Sequence, residues 1–347
     1  MKKLLTFLFL LQSIFVLNAQ DLHKLDSILS LDKMNPFNGV VYLVKNDKRV
    51  HVIEKGYSNI ESKTKIKYWI DQFVVGSISK QFTAVIVLQE VDSNRLQLHT
   101  PIKKYLPYLT QSWADSVTVH HLLTHTHGIV ALDKPSEFKA GSKFSYSQLG
   151  YQLLSEIVEK TSGKTFAQLS ANLFKSCRME NTFHPDNKQY KHLAKAYTKS
   201  DLGKLEIENA SFENYPAAGS FVSTVNDLAL WNAELHNNYH VKLLKPETYK
   251  LMITKQPNAI RNHPLFGTTY YGYGITITEN NGVQQFGQTG FAPGFVSMNY
   301  YFPRYDKKIS ITVLENVDYG NGNLMISFKH HLAILEFIKK ELDEKSK

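Results

Sequence analysis

The chain has 347 residues, 43% of them hydrophobic and 20% charged, with a formal net charge of +9. That is an ordinary globular composition, enough for one large domain or two small ones. The lysines are scattered, with no run of five or six basic residues and no basic helix interleaved with aromatics, so a nucleic-acid partner has no support and an ordinary basic surface is expected.

The first residues differ from the rest. Lys2 and Lys3 precede "LLTFLFLLQSIFVL" and then "NAQ", which reads as a secretory signal peptide over residues 1–20, cut near Ala19 or Gln20. The apolar stretch is short for a membrane span. The mature chain, 21–347, is expected to be soluble and exported, as a single domain. Cys177 is the only cysteine, so no intramolecular disulfide can form; it reads as a small core residue. No cysteine follows the leader, so a lipid at the mature N-terminus is not expected.

A short helix is expected over 21–33, with Leu22, Leu25, Ile28 and Leu29 on one face. "NGVVYLVKNDKRVHVIEKGYSN" carries β-branched runs either side of Asn46-Asp47, a hairpin signal. Residues 76–91 read as a helix with Ile78, Phe82, Val85 and Ile86 at helical spacing. The middle of the chain is mostly helical; one helix runs from Ser147 to about Thr161 and stops at Gly163. From about residue 266 the texture becomes an antiparallel meander, and a last helix occupies about 322–343. The fold class is therefore α+β: one antiparallel sheet built from both chain ends and flanked by helices, with a mostly helical region, about 77–230, inserted between them.

Several motifs are absent or empty. There is no G-x-S-x-G elbow. "SGKT" at 162–165 lacks the first glycine of a phosphate loop and reads as a helix cap followed by the next helix. "HHLLTHTH" at 120–127 sets His121 and His125 four apart, but without an H-E-x-x-H pattern or a cysteine or carboxylate cluster, so no metal is expected.

S-x-x-K occurs four times, at Ser30/Lys33, Ser62/Lys65, Ser77/Lys80 and Ser136/Lys139. Only Ser77 has a glycine immediately before it and a strongly apolar helix after it. Positions i and i+3 of a helix share a face, so Lys80 can reach the Ser77 hydroxyl. Serine becomes a useful nucleophile when a base takes its proton, and lysine can serve if burial or a neighbouring cation lowers its pKa. The helix start adds free N–H groups and a positive dipole end, which favour an oxyanion. The alternative for this motif taken alone is a surface serine and a solvated lysine.

Five segments decide between them: "GSISKQFTA" (76–84), "VTVHHLLTHTHGI" (117–129), "FSYSQLGYQLL" (144–154), "AAGSFVSTVNDLALW" (217–231) and "GQTGFAPGF" (287–295). In kind, order and spacing the chain resembles the serine β-lactamase family, especially its class C branch with the related D-Ala-D-Ala carboxypeptidases and esterases. The resemblance implies a β-lactamase/transpeptidase-like fold and a secreted serine hydrolase acting on an ester, amide or D-peptide bond without a cofactor or metal. It makes Ser77 the acylated nucleophile, Lys80 its proton partner and Tyr146 the general base and acid, with the backbone N–H groups of Ser77 and Phe291 as the oxyanion hole. The partner it implies is a small-molecule or peptide substrate.

Two departures bear on substrate. The second motif reads Tyr146-Ser147-Gln148, with glutamine where asparagine is usual. The third reads Gln288-Thr289-Gly290, where lysine or histidine is usual. A neutral amide donates hydrogen bonds without charge assistance. A protein of the same fold that binds or acylates without turnover is the alternative; a structural or adhesive exported protein explains none of the motifs together. The departure at Gln288 predicts weak recognition of substrates that need a carboxylate clamp, β-lactams among them. Steady-state turnover of a penicillin and a cephalosporin by the purified protein checks this, and rapid hydrolysis of either would contradict it.

Overall fold

The computed structural model describes residues 19–187, 190–280, 283–304 and 307–344, so residues 1–18 of the expected leader lie outside it. Its centre is an eight-stranded sheet in the order Lys48–Lys55, Gly39–Lys45, Lys307–Glu315, Phe295–Arg304, Val283–Ala292, Thr276–Asn280, Gly267–Tyr271, Ile260–His263. All neighbouring pairs are antiparallel, and both chain ends contribute strands, as expected of this α+β arrangement. The hairpin at Asn46-Asp47 has φ of 51° and 59° at its two central residues, the backbone of the tight turn that asparagine and aspartate tolerate. The meander begins at Ile260, earlier than the composition change at 266.

Alternation along the strands serves two layers. Val41, Leu43, Ile309, Ile311 and Val313 face the helices Ala19–Ser30 and Lys329–Glu344, meeting Leu25, Leu29, Ile334 and Ile338. Val40, Leu314, Phe286 and Tyr301 face the inserted helical layer. The expected last helix is broken into Leu324–Ser327 and Lys329–Glu344, with Phe328 between them at φ −98°, ψ 11°.

The helix Ser79–Asp92 departs from the one-faced pattern read from sequence. Lys80, Gln81, Thr83 and Glu90 are buried along with Phe82, Val85, Ile86 and Leu88, because the sheet lies on one side and helices on the others. Phe82 makes edge contacts with Phe174, Phe221 and Trp231 at 5.1, 5.4 and 4.7 Å. The helix Leu149–Ser162 ends at Gly163 with φ 70°. Thr165 then caps Phe166–Ser176 in a reciprocal box with Gln168, so "SGKT" is the junction of two helices. Cys177 is buried in the core, where burial pushes its thiol up to about 12.

Buried neutral histidines make this fold sensitive to acid. His236 lies against Tyr301, ring centroids 4.2 Å apart, and burial pushes it down to about 3; burial likewise pushes His127 down to about 4. Below about pH 6.5 the unfolded chain takes up protons that these folded imidazoles refuse, so stability falls as pH falls through that window. Each such histidine contributes a slope of about 1.4 kcal/mol per pH unit well below 6.5. The urea midpoint is expected to drop between about pH 7 and pH 5, and His236→Phe to make that drop shallower.

Candidate active site

Ser77 is presented by a short strand, a left-handed glycine and a tight turn. Phe73–Val74 pairs with Val222–Ser223, and Val75 donates its N–H to Phe221 O at 2.9 Å. The Ser297 hydroxyl donates to Val75 O at 2.8 Å, tying the strand end to the main sheet. Gly76 has φ +53°, and a 3-10 turn, Gly76–Ile78, carries Ser77 into the helix Ser79–Asp92. The nucleophile candidate thus precedes the α-helix instead of opening it. A Cβ on Gly76 would lie 2.5 Å from Phe291 N, and one on Gly290 2.1 Å from Val75 O and 2.9 Å from Ser77 N. The two glycines let the strand Val283–Ala292 press its backbone against the Ser77 turn, which brings Phe291 N close to Ser77 N.

Lys80 lies on the helix behind Ser77, wholly buried. Its Nζ donates to Ser77 Oγ at 3.3 Å, Gln148 Oε1 at 2.6 Å and Ala218 O at 2.6 Å. Burial pushes the ammonium below the usual lysine value, while the Tyr146 oxygen opposes that shift. Glutamine is one methylene longer than the asparagine usual at this place, and Gln148 reaches Lys80. The segment "AAGSFV" also touches the site, through the carbonyl of Ala218 on the short helix Pro216–Gly219. Thr224 caps the helix Val225–Asn237 by accepting from Asp227 N.

Tyr146 approaches from the loop before Leu149–Ser162. Lys80 Nζ is 4.7 Å from its ring centroid, and Gln288 Nε2 donates to its oxygen at 3.3 Å. Burial alone would raise the phenol. The Lys80 charge, hydrogen bonds with Lys80 and Ser77, and the Arg261 charge together outweigh burial and hold Tyr146 below the usual tyrosine value. Gln288 is buried on the strand Val283–Ala292, with Thr289 partly exposed and Gly290 buried beside it.

Tyr271 and Arg261 were not singled out by the sequence, and His125 was weighed there only as a metal ligand. His125 is fully buried at φ 59°, beyond the end of the helix Val119–Leu123. Its carbonyl accepts from Ser145 N at 2.8 Å, its Nδ1 from Ser147 N at 3.1 Å, and its ring lies 4.4 Å from the Tyr146 ring. Burial first, and then the Lys80 charge, keep it neutral well below the usual histidine value. It therefore braces the loop that carries Tyr146. His121 instead takes part in the cap at Thr118. Among the described residues no group of three or more histidine, cysteine or acidic side chains gathers at metal-binding distance. Tyr271, fully buried, and Arg261, partly exposed, come from the edge strands Gly267–Tyr271 and Ile260–His263. The Arg261 Cζ stands 4.5 Å from the Tyr146 ring centroid.

With this geometry, a match of residues 31–333 to the Beta-lactamase family model is decisive. The chain belongs to the Beta-lactamase family. A 113-residue stretch is 33% identical to an uncharacterized protein of Alkalihalophilus pseudofirmus, covering 32% of this chain and 33% of that one. The chain is 23% identical to a teichoic acid D-alanine hydrolase of Staphylococcus aureus over 91% of its own length and 78% of the relative's. The octameric penicillin-binding protein homologue of Pyrococcus abyssi superposes with TM-score 0.75 at 26% identity, covering 91% of this chain and 77% of that one. The D-amino acid amidase of Ochrobactrum anthropi gives TM-score 0.77 at 18% identity, covering 93% and 99%. This Beta-lactamase family member is a serine hydrolase with the β-lactamase and penicillin-binding-protein fold.

Among the described residues, Gln148 is the one side-chain amide that accepts from the buried Lys80 ammonium. Gln148→Leu is expected to destabilise the protein by about 1–3 kcal/mol, the cost of leaving a buried donor unpaired. Urea unfolding of the variant against wild type measures this, with Gln148→Asn expected to fall between them.

Proposed function

We propose that the protein is an exported hydrolase that forms an acyl-enzyme on Ser77. The observation that carries this reading is the meeting of Ser77, Lys80 and Tyr146: a buried ammonium 3.3 Å from the serine oxygen and a tyrosine held below its usual pKa beside both. In this mechanism the Tyr146 oxygen takes the Ser77 proton while Lys80 holds the charge. Ser77 Oγ attacks the substrate carbonyl, and the N–H groups of Ser77 and Phe291 stabilise the oxyanion. Tyr146 returns the proton to the leaving alcohol or amine. Water then enters, loses a proton to the same oxygen and releases the acid.

The bond class follows from the chemistry and the relatives: an ester or amide, including one to a D-amino acid, as the names of the D-alanine hydrolase and the D-amino acid amidase suggest. Gln148 and Gln288 would line the substrate site with Thr289 and Gly290. β-Lactams should be poor substrates, since Gln288 puts an uncharged amide beside Thr289 and the Arg261 guanidinium faces the Tyr146 ring. The leader-like residues 1–20 support export, in keeping with a relative named for teichoic acid.

Intact mass after exposure to an activated phosphonate, with turnover of a short-chain p-nitrophenyl ester, tests the proposal. Wild type should gain one adduct, and Ser77→Ala should lose both the adduct and at least about a thousandfold of the turnover. An adduct without turnover would identify the non-turnover binder instead, the reading favoured by the two glutamine departures. No Ser77-dependent adduct would overturn the mechanism.

A further inference from the structure

We propose that Arg261 is a positioning residue for proton transfer: a permanent cation, set against the Tyr146 ring, that favours the phenolate over the phenol. The proposal rests on the reading of Tyr146 as the proton carrier. It assigns a role to a residue outside the three motifs, on the edge strand Ile260–His263.

Register brings Arg261 to the site. It pairs across from Thr269, whose hydroxyl donates to Arg261 O at 3.2 Å. Ile260 and Asn262, on either side, are exposed, whereas Arg261 is partly buried, as alternation along a strand requires. Its guanidinium carbon is 4.5 Å from the Tyr146 ring centroid, within the range of a cation–π contact. Among the described residues no carboxylate forms an ion pair with it, so its charge is not cancelled locally.

The groups facing Tyr146 come from several elements. Ser77 and Lys80 come from the turn and helix that present the nucleophile. His125 stacks from the loop after Val119–Leu123, Tyr271 contributes an edge from its strand, and Gln288 donates from Val283–Ala292. Phe144, on the same loop, adds an apolar wall. Of these, only Lys80 and Arg261 carry positive charge. Lys80 acts more strongly on Tyr146, but it is itself titratable, and burial weakens its hold on its proton. Arginine does not give up its proton in proteins. Deprotonation adds negative charge to the Tyr146 ring, so the guanidinium binds the phenolate more strongly than the phenol, and that difference is what shifts a proton equilibrium. Gln288 is neutral and donates only a hydrogen bond to the Tyr146 oxygen, so the permanent charge facing this ring comes from Arg261 on the edge strand.

The test is an ultraviolet difference titration, wild type minus Tyr146→Phe, which isolates the tyrosinate signal of one residue. The wild-type midpoint should lie below the ordinary phenol value of about 10. Arg261→Gln should raise it by about one unit, and Arg261→Lys, which keeps charge but loses the flat stacking face, should raise it less. In parallel, the acidic limb of kcat/KM on a neutral ester should move up by the same amount in Arg261→Gln while the high-pH plateau is retained. An unchanged midpoint in Arg261→Gln, a wild-type Tyr146 that titrates as an ordinary phenol, or a rate loss equal at every pH would overturn the proposal. Arg261→Met, which keeps the aliphatic stem, substitutes if the glutamine variant does not fold. Because the titration needs no turnover, a Ser77 that takes no phosphonate would overturn the mechanism without deciding the role of Arg261.

Discussion

A lysine ammonium with no access to water needs hydrogen-bond acceptors around it, and Lys80 organises the site through that need. Its partners come from separate parts of the chain: Ser77 on the preceding turn, Gln148 ahead of the helix Leu149–Ser162, and the carbonyl of Ala218 more than a hundred residues downstream. The helix bearing Lys80 is buried on every side, so the charge cannot swing to solvent. The same burial that would make an isolated ammonium costly pushes Lys80 below the usual lysine value, and the nearby Tyr146 oxygen opposes that shift.

A second constraint is the close approach of two backbones. The strand Val283–Ala292 meets the Ser77 turn only because Gly76 and Gly290 have no side chains, and the Ser297 hydroxyl ties Val75 to the sheet from behind. The sheet therefore acts as more than a scaffold. It brings Phe291 N to Ser77, Gln288 to the Tyr146 oxygen, and, from its far edge, Arg261 to the Tyr146 ring. His125 completes the frame from the helical side by holding the 145–147 backbone with both its carbonyl and its ring.

Much of this was legible in the chain. Asn46-Asp47, Gly163 and Thr165 each mark a boundary through local backbone chemistry, and the structure places a turn, a stop and a cap there. Ser77 and Lys80 are three apart, so helical geometry brings them together whatever else the chain does. Tyr146, Gln148 and Gln288 could be named only through a resemblance carried by several segments, because nothing local distinguishes Tyr146 from the other eighteen tyrosines. The outcome at Gln148 needed coordinates: whether one added methylene displaces an amide or lets it reach depends on where the backbone stands, and here it reaches Lys80.

Sequence by itself determined the α+β class, the pairing of both chain ends in one sheet and the Ser77–Lys80 motif, since these rest on periodicity, turn chemistry and spacing; the family entered through the resemblance of five segments. Tertiary structure alone decided that His125 braces the Tyr146 loop, that Ala218 contributes its carbonyl and that Arg261 stands over the Tyr146 ring. His125 does its work at a left-handed position past a helix end, Ala218 through a backbone atom, and Arg261 through the register of an edge strand. None of these leaves a pattern in neighbouring residues, because each arises from contacts between segments far apart in the chain.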